Sequence, residues 1–376
     1  MKVGIPREIK NHEDRVAITP AGVVELVLNG HEVYVERGAG LGSSIPDGDY
    51  VAAGANILDN ADDVWSEGDL ILKVKEPIEE EYPRMRSGQI LFTYLHLAAN
   101  KDCADALLAA GTTSIAYETV QLADGSLPLL APMSEVAGRL AVQVGAYNLM
   151  QPQGGCGVLM GGVSGVQAAK VVIIGAGVSG MNAAAIALGM HAQVLLLDLN
   201  VARLRPVDAI YQGRIQTVAS NSYEIERAVL DADLVIGAVL LPGAKAPMVV
   251  SSELVSRMKP GSVLVDIAID QGGCFEDSHP TTHADPTYAV HNSVFYCVAN
   301  MPGAVPKTST YALTNVTLRY AVELANCGWR GALAADPALA LGLNTHNGEL
   351  MNGLVAEALG YSSCALGDIL GQHVSA

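Results

Sequence analysis

The sequence predicts an α/β protein made of two doubly wound parallel-sheet domains. Three observations predict it. Short apolar runs alternate with amphipathic stretches through the first third of the chain, a strand, glycine turn and helix follow near the middle, and a second alternating series comes after them. With 376 residues, 50% of them hydrophobic and 16% charged, the chain is long and apolar enough to bury two cores.

In the first series, residues 3–5, 31–36, 70–74, 90–94 and 113–117 read as strands and 20–29 as a helix. A helix over 134–149, entered through Pro132 and capped by Ser134, places a boundary near residue 130. A glycine-rich loop over 154–165 leads into the second series, whose strands after the central unit are 193–197, 215–219, 234–236, 263–265 and 295–297. After Pro306 the chain reads as helical, over 310–327, 337–343 and 348–359. Having no strands of its own, this tail is expected to return and cover the first domain. The expected domains are therefore 1–130 with 307–376, and 131–306, with an active site in the cleft between them.

The central unit runs from the apolar residues 171–174 into Gly175, Gly177 and Gly180, spaced G-x-G-x-x-G, and then into an alanine-rich helix. Each glycine answers a separate requirement. Gly175 permits the tight turn, Gly177 lets main-chain N–H groups approach a pyrophosphate, and Gly180 lets the helix pack close to the sheet. Asp198 ends the next apolar run 18 residues after Gly180, where a carboxylate meets ribose hydroxyls and repels a 2′-phosphate. The context of strand, helix and acid makes this a Rossmann-type site for NAD in preference to NADP.

Residues 171–190 carry no charge over the length of a membrane span, yet their four glycines and the change from a β-branched to an alanine-rich run read as strand, turn and helix. The formal net charge of −17 argues against nucleic acid or an anionic membrane as partner. The first residues form a strand and lack an apolar signal core, so the cytoplasm is the expected location. Six cysteines with no C-x-x-C pair read as free thiols, against a zinc site or a disulfide framework.

Four polar residues stand at expected strand ends, where α/β enzymes place their chemistry. Lys75 follows the run 70–74 and suits an anionic substrate, although a surface lysine leaves the same pattern. Arg15, in the loop after the first strand, suits a fork on a carboxylate. His96 follows an apolar strand and offers general acid-base chemistry near neutral pH, or is a satisfied structural histidine. Asp270 is read as closing an apolar strand over 263–269 before a glycine turn, as an uncapped carboxylate or as the cap of that turn.

The whole chain resembles the alanine dehydrogenase family, which includes the nucleotide-binding portion of proton-translocating transhydrogenase. The resemblance lies in residues 6–10 and 15–20, 72–77, 92–98, 132–135, 265–273 and 300–306. It implies conversion of L-alanine, NAD and water to pyruvate, ammonia and NADH. Arg15 and Lys75 would bind substrate, and His96 and Asp270 would act as the acid-base pair. Implied cofactor contacts are Ser134, Gly175, Gly177, Val178, Ser179, Gly180, Asp198, Arg203, Ser220, Val239, Leu240, Ile267, Ala268, Ile269, Asp270, Val298, Ala299, Asn300 and Met301. The resemblance also implies a homohexamer.

The chain departs from the family pattern at Cys156 and Ser164, where the family has Arg and Pro, and at His279, where relatives have an arginine. No metal is expected, because Cys327 stands one helical turn from Glu323 where magnesium-binding relatives have a histidine. Two other readings are a subunit that works only when docked to a membrane proton channel, and an NAD(H)-binding protein without turnover. Neither requires all four of Arg15, Lys75, His96 and Asp270.

Overall fold

The computed structural model describes residues 1–239, 246–365, 367 and 369, so Leu240 lies outside the described residues. The chain divides into two compact units, Met1–Met133 with Val305–Ala376, and Ser134–Ala304.

In the first unit, six strands run β1 (Lys2–Ile5), β2 (Glu32–Glu36), β3 (Asn56–Leu58), β4 (Leu70–Leu72), β5 (Ile90–Thr93) and β6 (Thr113–Ala116). Their spatial order is β3-β2-β1-β4-β5-β6, and every neighbouring pair is parallel. The crossovers contain α1 (Pro20–Leu28), α2 (Asp47–Ala52), α3 (Ala61–Glu67) and α4 (Lys101–Ala110). Asn60 and Asn100 start α3 and α4 by accepting the main-chain N–H of Asp63 and Cys103. β3 was not anticipated; its three residues are half-buried or exposed at the sheet edge and show no apolar run.

The second unit takes in α5 (Ala131–Asn148) from Ser134 onward. It continues through β7 (Lys170–Ile174), α6 (Val178–Gly189), β8 (Gln193–Asp198), α7 (Val201–Tyr211), β9 (Ile215–Ala219) and α8 (Ser222–Asp231). β10 (Leu234–Gly237), α9 (Ser252–Ser256), β11 (Val263–Asp266), β12 (Thr287–Val290) and β13 (Ser293–Tyr296) complete it. The strand order is β12-β13-β11-β10-β7-β8-β9, all parallel except β12 against β13. Val171 and Ile173 of β7 enter one apolar core, and Val172 and Ile174 enter the other. Burial of both faces is why β7 is an unbroken apolar run. Ser134 is not the cap of α5, which starts three residues earlier at Ala131 because Pro132 fits a first helical turn.

The tail also differs from expectation. It contains α10 (Pro306–Ala335), α11 (Pro337–Ala340), β14 (Leu343–His346), β15 (Glu349–Leu350) and α12 (Gly353–Leu359). α10 joins two helices at Gly328, whose φ is 66°. β14 pairs antiparallel with β6, and β15 pairs antiparallel with β14, extending the first sheet to eight strands. The turn between them is Asn347-Gly348 with φ of 48° and 87°, a two-residue hairpin turn of the favoured Asn-Gly type.

Candidate active site

The carboxyl edge of the first sheet gathers three of the four candidates: Arg15 follows β1, Lys75 follows β4 and His96 follows β5. Lys75 is only 7% exposed, and among the described residues its ammonium has no hydrogen bond or ion pair. Its charge helps hold the Glu76 carboxyl below the usual carboxylate range, and with no side chain bonded to it the ammonium fits an anionic ligand. Its main chain is held from both sides, since its N–H donates to Glu8 Oε1 at 3.3 Å and its carbonyl accepts from Thr93 Oγ1 at 3.0 Å. Arg15 is also buried, but its fork already grips Glu13, with Nε to Oε1 at 2.6 Å and Nη2 to Oε2 at 2.5 Å. Its Nη1 donates to Met133 Sδ at 3.1 Å.

His96 sits at φ 50°, and its main-chain N–H donates to Glu118 Oε1 at 2.6 Å. The same carboxylate oxygen lies 3.9 Å from His96 Nδ1, and the ring stacks on Tyr94 at 5.8 Å. Tyr94 donates its hydroxyl to the Leu129 carbonyl at 2.6 Å, and burial pushes its pKa far above the ordinary phenol value. Its hydroxyl therefore remains protonated. Below this edge, Lys73 is fully buried between Glu8 Oε2 at 2.8 Å and Glu81 Oε1 at 2.9 Å. Burial opposes the Lys73 ammonium, and the two carboxylates outweigh it and hold its pKa above the lysine value. The carboxylates of Glu8, Glu13, Glu81 and Glu118 were not singled out from sequence. Only Glu13, two residues from Arg15, carried a local signal.

In the second unit, the cofactor candidates collect at the carboxyl edge of the parallel strands. A Cβ on Gly180 would stand 1.7 Å from the Gly175 carbonyl oxygen, and one on Gly138 of α5 would stand 2.1 Å from that of Ser179. Gly175 has φ 109°, which an L side chain rarely adopts. A Cβ on Gly177, by contrast, meets nothing within 4 Å. Glycine there leaves a gap over the start of α6, which has no side-chain cap. Uncapped N–H groups at Val178 and Ser179 beside such a gap fit a pyrophosphate.

Asp198 accepts the N–H of Ala176 and of Asn200, each at 2.7 Å, one on each oxygen. Each oxygen keeps acceptor capacity for a ribose hydroxyl. Arg203 approaches it at 3.9 Å, and the Ser220 N–H donates to the Asp198 carbonyl at 2.9 Å. Ser134 and Val239 are half-buried. Ile269, Val298 and Met301 have buried side chains. Ile267, Ala268, Ala299 and Asn300 are half-buried, Asn300 at φ 66°.

Asp270 requires a correction. The strand before it ends at Asp266, and residues Ile267–Gln271 form a 3₁₀ turn, so Asp270 is an exposed residue of that turn. Asp266 caps the turn by accepting the Ala268 N–H. The apolar run continues to Ile269 because that side chain dips back into the core, which mimics a longer strand. His279 stacks on Tyr288 at 3.7 Å, and Cys327 donates to Glu323 at 3.3 Å.

Fold and site together define a two-unit α/β protein with a dinucleotide fingerprint and a charged carboxyl edge on its other sheet. The chain belongs to the alanine dehydrogenase/PNT family, matching its N-terminal domain over residues 4–137 and its C-terminal domain over 141–353. It is 67% identical to an alanine dehydrogenase of Mycolicibacterium smegmatis, over 96% of this chain and 97% of that one. A solved L-alanine dehydrogenase is 52% identical, with a TM-score of 0.92 over 96% of this chain and 99% of that one. A solved transhydrogenase from Sinorhizobium meliloti is 28% identical, with a TM-score of 0.79 over 94% and 99%.

Proposed function

We propose that this chain is an L-alanine dehydrogenase: L-alanine, NAD⁺ and water give reversibly pyruvate, ammonium, NADH and a proton. The observation that carries the reading is the 67% identity to an alanine dehydrogenase over nearly the whole chain. The first unit binds substrate and the second binds NAD through Gly175, Gly177, Val178, Ser179, Gly180 and Asp198. NAD, when bound, supplies the acceptor for the hydride on the substrate Cα.

Lys75 offers its buried ammonium to the substrate carboxylate and to the oxygen that develops at Cα. Arg15, its plane set by Glu13, supplies a second, partly neutralised cation. His96, oriented through Glu118, takes a proton from the amine and with Asp270 manages the water that adds to the C=N bond. Burial of Lys75 and Arg15 keeps these charges effective by limiting screening.

NADH absorbance at alkaline pH tests the reading. L-Alanine with NAD should produce NADH, and D-alanine or NADP in their place should not. Saturable NADH binding without turnover would reject it in favour of the docked-subunit or inactive readings. The assembly we propose is a homohexamer, and the proposed location is the cytoplasm. Among the described residues no helix is long and apolar enough to cross a membrane.

A further inference from the structure

The turn that carries Asp270 is tied together by a carboxylate with no exposed surface. Asp266 is 0% exposed at the end of β11. Its Oδ1 accepts the Ala268 N–H at 2.9 Å, inside the turn. Its Oδ2 accepts the Cys274 N–H at 2.8 Å and the Ser278 hydroxyl at 2.6 Å, both beyond the turn. Cys274 Sγ approaches Oδ1 at 3.4 Å. The chain closes so tightly here that a Cβ on Gly273, whose φ is 79°, would stand 2.9 Å from Oδ2.

One side chain thus pins the segments on both sides of Asp270, which itself is exposed and whose carboxylate has no hydrogen bond or ion pair among the described residues. A buried carboxylate is stable only when its acceptors are filled, and donors from four residues, Ala268, Cys274, Phe275 and Ser278, fill this one. We propose that Asp266 is a positioning residue for Asp270, an inference that rests on reading Asp270 as part of the acid-base machinery. The oxygens only accept, so an amide in the same place must turn an NH₂ group toward existing donors whichever way it faces. The turn would then loosen without loss of side-chain volume.

The test uses the full-length enzyme with Asp266→Asn, Ser278→Ala, Asp270→Asn and the combinations of the first two with the third. We expect Asp266→Asn to lower kcat on the order of 10- to 100-fold, as misplaced catalytic groups do, with KM for L-alanine little changed. Ser278→Ala should give a smaller loss in the same direction. Added to Asp270→Asn, neither change should lower kcat further by more than about two-fold, because both act through Asp270. Wild-type kcat in Asp266→Asn, or full additivity with Asp270→Asn, overturns the inference while leaving the acid-base reading intact. Near-normal turnover in Asp270→Asn instead overturns that reading and the inference together. If Asp266→Asn does not fold, the Ser278→Ala and Asp270→Asn pair decides by the same criterion.

Discussion

Lys75 and Arg15 differ in what their charges already hold. The Arg15 guanidinium is committed to Glu13, whereas the Lys75 ammonium is buried with no hydrogen bond or ion pair among the described residues. Lys75→Ala should therefore remove most of the attraction for pyruvate, seen as a steep rise in its KM and a fall in turnover. His96→Ala and Asp270→Asn should each cut turnover strongly while NADH still binds, as fluorescence titration would show; normal rates in either would remove that residue from the proposed chemistry. Lys73 is a different kind of cation, enclosed by Glu8 and Glu81. Lys73→Met would leave two buried carboxylates facing each other and should cost about 3–5 kcal/mol in urea unfolding. Burial already raises the Glu8 pKa above its unfolded value. A group shifted upward favours the fold at low pH and loses that contribution as pH rises through its folded value. The urea midpoint of Lys73→Met should accordingly drop as pH rises above the ordinary carboxylate range.

At the scale of elements, the fingerprint separates folding from binding glycine by glycine. Gly180 touches the Gly175 carbonyl, so Gly180→Ala must push α6 away from β7 and lower thermal stability. Gly177 faces open space with an ordinary φ of −75°, so Gly177→Ala should leave stability nearly unchanged and weaken NADH binding by about ten-fold or more. Equal effects of the two substitutions on melting temperature would contradict this division. The strand–turn–helix unit was legible because its steric demands are local and each maps onto one residue. β14 and β15 are not legible although Asn347-Gly348 marks their turn, because both strands are short and depend on pairing, β14 with β6 and β15 with β14. The end of β11 at Asp266 shows a related limit. Apolar periodicity continues past an element's end whenever the next side chain also reaches the core.

For the whole molecule, the reading as a dehydrogenase predicts alanine-dependent NADH formation by purified protein with no membranes added. A requirement for membranes would favour the docked-subunit reading. Light scattering should report six copies of the 39.1 kDa chain, and a monomer would refute the proposed assembly. The sequence by itself determined the α/β class, the dinucleotide fingerprint, the positions of Lys75, His96 and Asp198 at or just past strand ends and the loop position of Arg15, because apolar periodicity and glycine spacing act over a few residues. Only the tertiary structure decided how their charges are used. Glu118 reaches His96 from 22 residues away, Glu8 reaches the Lys75 main chain from 67 away, and Asp266 ties residues on both sides of Asp270. A carboxylate's partners depend on which strand ends the sheet brings together, and that adjacency is set by strand order, which no local stretch of sequence encodes.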